Sequence, residues 1–293
     1  MLIFLLLTVP FLGLQAQECR PAEHPAKNLS DQLQDLSLVC SKLLNCDIQP
    51  DSNQEVIHCK KNFPGYPKPV HFYIPTNLDL SQELNTFVHF HGHNIGHDHF
   101  KKTTRPGEGY GDYGDFISKA KVNGILVIPE SDGKCSTYDS YFQTPRKTDE
   151  FFGHLSQVFK DQKKKLHLSG HSGAYRVLNQ LAKHSHEGTS KELKDIHSIG
   201  LFDATYAPVP GIEQWLNKRK EERQSYRLYN SFVAGPQGGA KKVSLELMQK
   251  YQRDPNVIMK PLDDKRESNG VLQHFNTLRD GGLRDFFVAA GKI

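Results

Sequence analysis

Apolar and polar positions along this chain follow two alternating periods. Short apolar runs at residues 56–59 (VIHC) and 70–74 (VHFYI), separated by an Asn-Phe-Pro-Gly turn, have the pattern of an antiparallel hairpin at a sheet edge. Further runs at 86–91 (TFVHFH), 124–129 (GILVIP), 166–169 (LHLS), 196–202 and 226–232 predict strands, with a weaker one at 257–259. Between them the period lengthens. Ala174, Val177, Leu178, Leu181 and Ala182 fall at i, i+3, i+4, i+7 and i+8, one apolar helix face. Helices are also predicted near residues 116–121, 148–163, 212–222 and 243–251, and from about 282 onward. Strands alternating with helices after an opening hairpin predict an α/β fold, a mostly parallel sheet covered by helices on both faces.

Upstream of residue 55 the pattern changes. Residues 1–16 (MLIFLLLTVPFLGLQA) read as a signal peptide: the apolar run is short, Pro10 and Gly13 interrupt it, and Leu14-Gln15-Ala16 suits cleavage. The n-region carries no Lys or Arg. Ser30 can cap a helix over 31–44, and 45–54 read as a polar loop. This divides the chain into a leader (1–16), a Cys-containing extension (17–54) and one domain over 55–293. Four of the 5 cysteines, Cys19, Cys40, Cys46 and Cys59, crowd the N-terminal part, whereas Cys135 stands apart. Export into an oxidising compartment, secreted or periplasmic, then implies two disulfides among the four and a free thiol at Cys135, with connectivity open.

The chemistry centres on residues 166–182. A strand (Leu166-His167-Leu168-Ser169), a turn of small residues (Gly170-His171-Ser172-Gly173-Ala174) and a helix together form the strand–turn–helix that lifts a serine hydroxyl clear of a sheet edge. The stretch resembles the nucleophile elbow of the α/β-hydrolase superfamily, with Ala174 in the last position of a G-x-S-x-A motif. The resemblance covers about residues 55–293 and implies a Ser172 nucleophile, a histidine base and an orienting acid in the order Ser, acid, His. His274 fits the base, read as a loop residue between the last strand and the last helix. His184, His186 and His197 sit in a helix end or a strand. Asp203, at the end of the strand after the elbow, fits the acid, with Asp263 and Asp264 as alternatives. His91-Gly92 matches the family's oxyanion-loop dipeptide. The amides of His93 or Asn94 and of Gly173 would then form the oxyanion hole.

A rival pattern lies in the same region. His89, His91, His93, His97 and His99, with Asp98, are potential metal ligands, and strand alternation would point His89, His91 and His93 to one side. Their spacing matches neither HExxH nor HxHxDH, so neither metal nor other cofactor is expected. Tyr110, Tyr113, Tyr138, Tyr141 and Tyr206 would line the cleft mouth and favour a polar or aromatic ester over a long acyl chain. The formal charge of +4 is spread along the chain, and its basic runs (163–165, 218–220) lack interleaved aromatics, so no nucleic-acid partner and no stable membrane anchor is expected. The expectation is a secreted serine hydrolase of the carboxylic ester type acting on a small-molecule or acylated polar substrate. A metal-dependent hydrolase and a catalytically silent binding protein of the same fold are the alternatives.

Overall fold

The computed structural model describes residues 47–48, 55–92, 113–132, 136–158, 163–236, 238–262, 270–279 and 282–293. Its strands are β1 (Asp47–Ile48), β2 (Val56–Asn62), β3 (Pro69–Pro75), β4 (Leu84–Phe90), β5 (Gly124–Pro129), β6 (Lys164–His171), β7 (Ile196–Phe202), β8 (Arg227–Val233) and β9 (Val257–Leu262). They form one sheet in the order β1-β2-β3-β5-β4-β6-β7-β8-β9. The β1–β2, β2–β3 and β3–β5 pairs are antiparallel, and every pair from β5–β4 to β8–β9 is parallel. Strands covered on both faces need apolar side chains in both directions, which explains the unbroken runs. In β4 and β5 every residue is buried.

Eight helices cover the described part of the sheet: α1 (Tyr113–Ala120), α2 (Ser136–Tyr141), α3 (Pro145–Val158), α4 (Tyr175–His186), α5 (Pro210–Glu221), α6 (Lys241–Tyr251), α7 (Gly270–Arg279) and α8 (Gly282–Ala290). On one face Phe151, Phe152, Leu178, Trp215 and Leu247, from α3 to α6, join Val88, Phe90 and Leu168 of the strands. On the other, Ile117, Leu278, Phe286 and Phe287, from α1, α7 and α8, join Phe87, Leu126 and Phe202. Two apolar layers on one sheet give the three-layer arrangement that strand–helix alternation predicts.

The structure corrects several boundaries. The helix expected over 148–163 is described over Pro145–Val158, with Lys163 outside it and β6 beginning at Lys164. Gly170 and His171, expected in the turn, still belong to β6. Part of the expected 45–54 loop is β1, whose Asp47 and Ile48 pair with Lys60 and Cys59. Cys59 is buried in β2 and disulfide-bonded. Cys19, Cys40, Cys46 and Cys135 lie outside the described residues, as do the leader and the helix expected over 31–44.

Candidate active site

Ser172 stands where β6 stops and the chain turns into α4. A 3-10 turn, Ser172–Ala174, joins the two, and the Tyr175 N–H donates to the Ser172 carbonyl. Ser172 has φ 56°, the left-handed region that an L-residue occupies only under constraint. The constraint is packing. A Cβ on Gly170 would lie 2.9 Å from the Ala174 Cβ and 3.0 Å from Leu178 Cδ1, so only glycine lets α4 return this close to β6. Val177, Leu178, Leu181 and Ala182 are buried and hold α4 down.

The neighbouring strand supplies a carboxylate. Asp203 directly follows β7, is nearly fully buried, and also has a positive φ, 41°. Its N–H donates to the Ser231 carbonyl at 2.6 Å, which ties it to the end of β8. Its Oδ1 accepts from the Val233 N–H at 3.2 Å. The other oxygen, Oδ2, faces His274, whose Nδ1 lies 2.5 Å away. With Nδ1–H donating to a carboxylate, the imidazole is held in the tautomer that leaves Nε2 as the acceptor.

His274 lies in the second turn of α7 rather than in a loop. Its carbonyl accepts from Thr277 Oγ1 at 2.7 Å and from His171 Nε2 at 3.1 Å. A carbonyl only accepts, so His171 carries its proton on Nε2. The two imidazoles lie with centroids 4.2 Å apart, and burial together with His274 pushes His171 well below the usual histidine range. A neutral His171 adds no positive charge beside His274.

A fourth side chain reaches the cluster. The Tyr206 hydroxyl donates to Asp203 Oδ2 at 3.3 Å and lies 3.4 Å from His274 Nδ1. Burial and the Asp203 carboxylate push the pKa of this phenol up, so it keeps its proton and stays a donor. Asp203 and His274 thus meet at the Tyr206 hydroxyl. Gly173 follows Ser172 inside the 3-10 turn. His93, Asn94, Asp263, Asp264 and Tyr110 lie outside the described residues.

The structure alters the rest of the expected cleft. Tyr113, Tyr138 and Tyr141 belong to the buried core rather than the mouth, with the Tyr138 hydroxyl donating to the Pro129 carbonyl at 2.8 Å. Tyr206, 44% exposed, is the tyrosine of that set on the surface among the described residues. His89 and His91 do not face one way either. The His89 ring lies near Tyr113 and Phe202, in one apolar layer, and its Nδ1 is 2.9 Å from Ser169 Oγ. Burial pushes His89 down to about 3. His91 lies past the end of β4, where alternation no longer holds. Its ring meets Tyr138 of the other layer, and its Nε2 accepts from the Ser131 N–H at 3.2 Å. Among the described residues no three His, Cys, Asp or Glu side chains stand together as a metal site. His93, His97, Asp98 and His99 are outside that set.

No protein-family model and no curated protein matches the chain. Among solved structures it is similar to the feruloyl esterase module from Clostridium thermocellum complexed with sinapinate. That match has a TM-score of 0.52 and 12% identity over 83% of this chain and 93% of that one. It is also similar, at a TM-score of 0.48 and 12% identity, to an S-formylglutathione hydrolase from Agrobacterium tumefaciens, over 78% and 94% of the two chains. At 12% identity the feruloyl esterase match speaks for architecture alone.

Proposed function

The chain has the α/β-hydrolase fold, and on that fold we propose that it is a serine hydrolase, specifically a carboxylic ester hydrolase acting on a small-molecule or acylated polar substrate. The observation that carries this reading is the 2.5 Å contact between His274 Nδ1 and Asp203 Oδ2, made beside a strained serine at the end of β6. A serine hydroxyl is a weak nucleophile until a base removes its proton, and the base needs an acid to orient it. In the proposed reaction Ser172 Oγ attacks the acyl carbonyl while His274 Nε2 takes the serine proton. The imidazolium, stabilised by Asp203, then gives that proton to the departing alkoxide, leaving an acyl-Ser172 ester and a free alcohol. Water attacks the acyl group, His274 takes one water proton, and collapse returns that proton to Ser172 Oγ with release of the carboxylic acid. The Gly173 amide and that of His93 or Asn94 would hold the oxyanion, a contribution of about 3–4 kcal/mol for one donor.

We place the reaction outside the cytoplasm, in a secreted or periplasmic setting, on the strength of residues 1–16 and the crowded N-terminal cysteines. Among the described residues no helix is long and apolar enough to cross a membrane. A fluorophosphonate probe tests the mechanism. It should label Ser172, and Ser172→Ala should abolish labelling and lower ester turnover by on the order of a million-fold. Chelator-sensitive hydrolysis that survives Ser172→Ala would falsify the serine mechanism and favour the histidine-rich loop.

A further inference from the structure

Resting on the serine-hydrolase reading, we propose that Tyr206 is a positioning residue that shares the Asp203 carboxylate with His274 and so holds down the basicity of the imidazole. Both groups address the same oxygen. His274 Nδ1 is 2.5 Å from Asp203 Oδ2 and the Tyr206 hydroxyl 3.3 Å from it. A carboxylate oxygen has lone pairs for two donors, but each donor draws on the same charge. A carboxylate partly satisfied by a phenol stabilises an imidazolium less than one that serves the imidazole alone.

The placement of Tyr206 is specific. It follows Asp203 by three residues, and its ring is 44% exposed, so burial alone does not fix it. Gly239 gives the ring its seat. A Cβ there would lie 2.4 Å from Tyr206 Cε1 and 3.0 Å from Cδ1, and the Gly239 backbone is outside the left-handed region, so an alanine would meet the tyrosine rather than strain the chain. The same ring meets His274 edge-on, with centroids 6.2 Å apart. The residue therefore has contacts to the acid and the base, a built seat, and an exposed edge from which to be displaced.

Two substitutions separate the hydroxyl from the seat. Tyr206→Phe removes the competing donor and keeps the ring, whereas Gly239→Ala keeps the hydroxyl and pushes the ring away from Asp203. The readout is kcat/KM for p-nitrophenyl acetate against pH, whose acid limb reports protonation of the base in the free enzyme. Both variants should move that limb to higher pH, by roughly half a unit for Tyr206→Phe. In an Asp203→Asn background Tyr206→Phe should move it no further, because the shared charge is gone. A limb that stays put or moves down in Tyr206→Phe overturns the proposal, as does a shift that persists in the Asp203→Asn background. Fluorophosphonate labelling of the parent protein keeps the two readings apart. No labelling of Ser172 removes the hydrolase reading itself; labelling with an unmoved acid limb removes only the role of Tyr206.

Discussion

Two of the three proposed catalytic side chains stand on backbone that disfavours them. Ser172 at φ 56° and Asp203 at φ 41° occupy left-handed conformations, which cost a residue such as serine about 1–2 kcal/mol and aspartate less. Glycine escapes that cost. Ser172→Gly should therefore be more stable than Ser172→Ala by about 1 kcal/mol in equilibrium unfolding, although both lack the proposed nucleophile. Equal stabilities would mean that the turn relaxes and stores no strain. At Asp203 the informative change is to asparagine, which tolerates the left-handed region and can still accept from the Val233 N–H. What it loses is the negative charge facing His274. Asp203→Asn should lower turnover by about 10⁴-fold in a protein whose circular dichroism is unchanged; a loss below tenfold would take the acid's role away from Asp203. Ser172 is legible in the sequence because small residues at 170, 173 and 174 announce a tight turn. His274 and Asp203 are legible from chain order, given the resemblance. Tyr206 is visible there only as one of five tyrosines expected at the cleft mouth, because its meeting with Asp203 depends on how the chain leaves β7. His171 is equally hidden: its partner is a main-chain carbonyl 103 residues away.

At the scale of elements, the junction of β6 and α4 is the part most sensitive to volume. A methyl group at Gly170 has to share space with Ala174 and Leu178, both fully buried. Gly170→Ala should cost roughly 1–3 kcal/mol by overpacking, and more activity than stability, because the serine rides on that contact. Thermal unfolding set beside ester turnover checks this. Wild-type stability together with wild-type turnover would show that the helix can back away freely. Elements with a long apolar period, such as α4, are legible in the amino-acid pattern alone. Those that escape it lack that signal. β1 is two residues long and gains its shape by pairing with β2. α2 (STYDSY) buries tyrosines, whose polar hydroxyls suggest a surface position. α7 reads as loop because the resemblance expects its histidine in one; buried Thr277 and Leu278 show tertiary packing on the helix.

Across the whole molecule, the two apolar layers and the parallel run of strands follow from the alternation of periods, whereas the antiparallel start of the sheet is extended by a strand that the pattern does not contain. That sheet has ends. Among the described residues its row of strands stops at β1 on one side and β9 on the other. An unpaired strand edge offers hydrogen-bonding groups to any chain that drifts past, and long apolar edges invite stacking between molecules. β9 is poorly suited to that. Pro261, in register with Phe232, has no N–H to offer, and the adjacent Lys260 is a charge held 2.8 Å from Asp285. Pro261→Val would restore a donor to the edge and raise its strand propensity. Light scattering of concentrated solutions should then show association that the parent protein resists; identical scattering would show that this edge is protected by something else. The proline that interrupts the last strand thus acts on a population rather than on a molecule: it bears on how concentrated a solution can become before neighbouring sheets join.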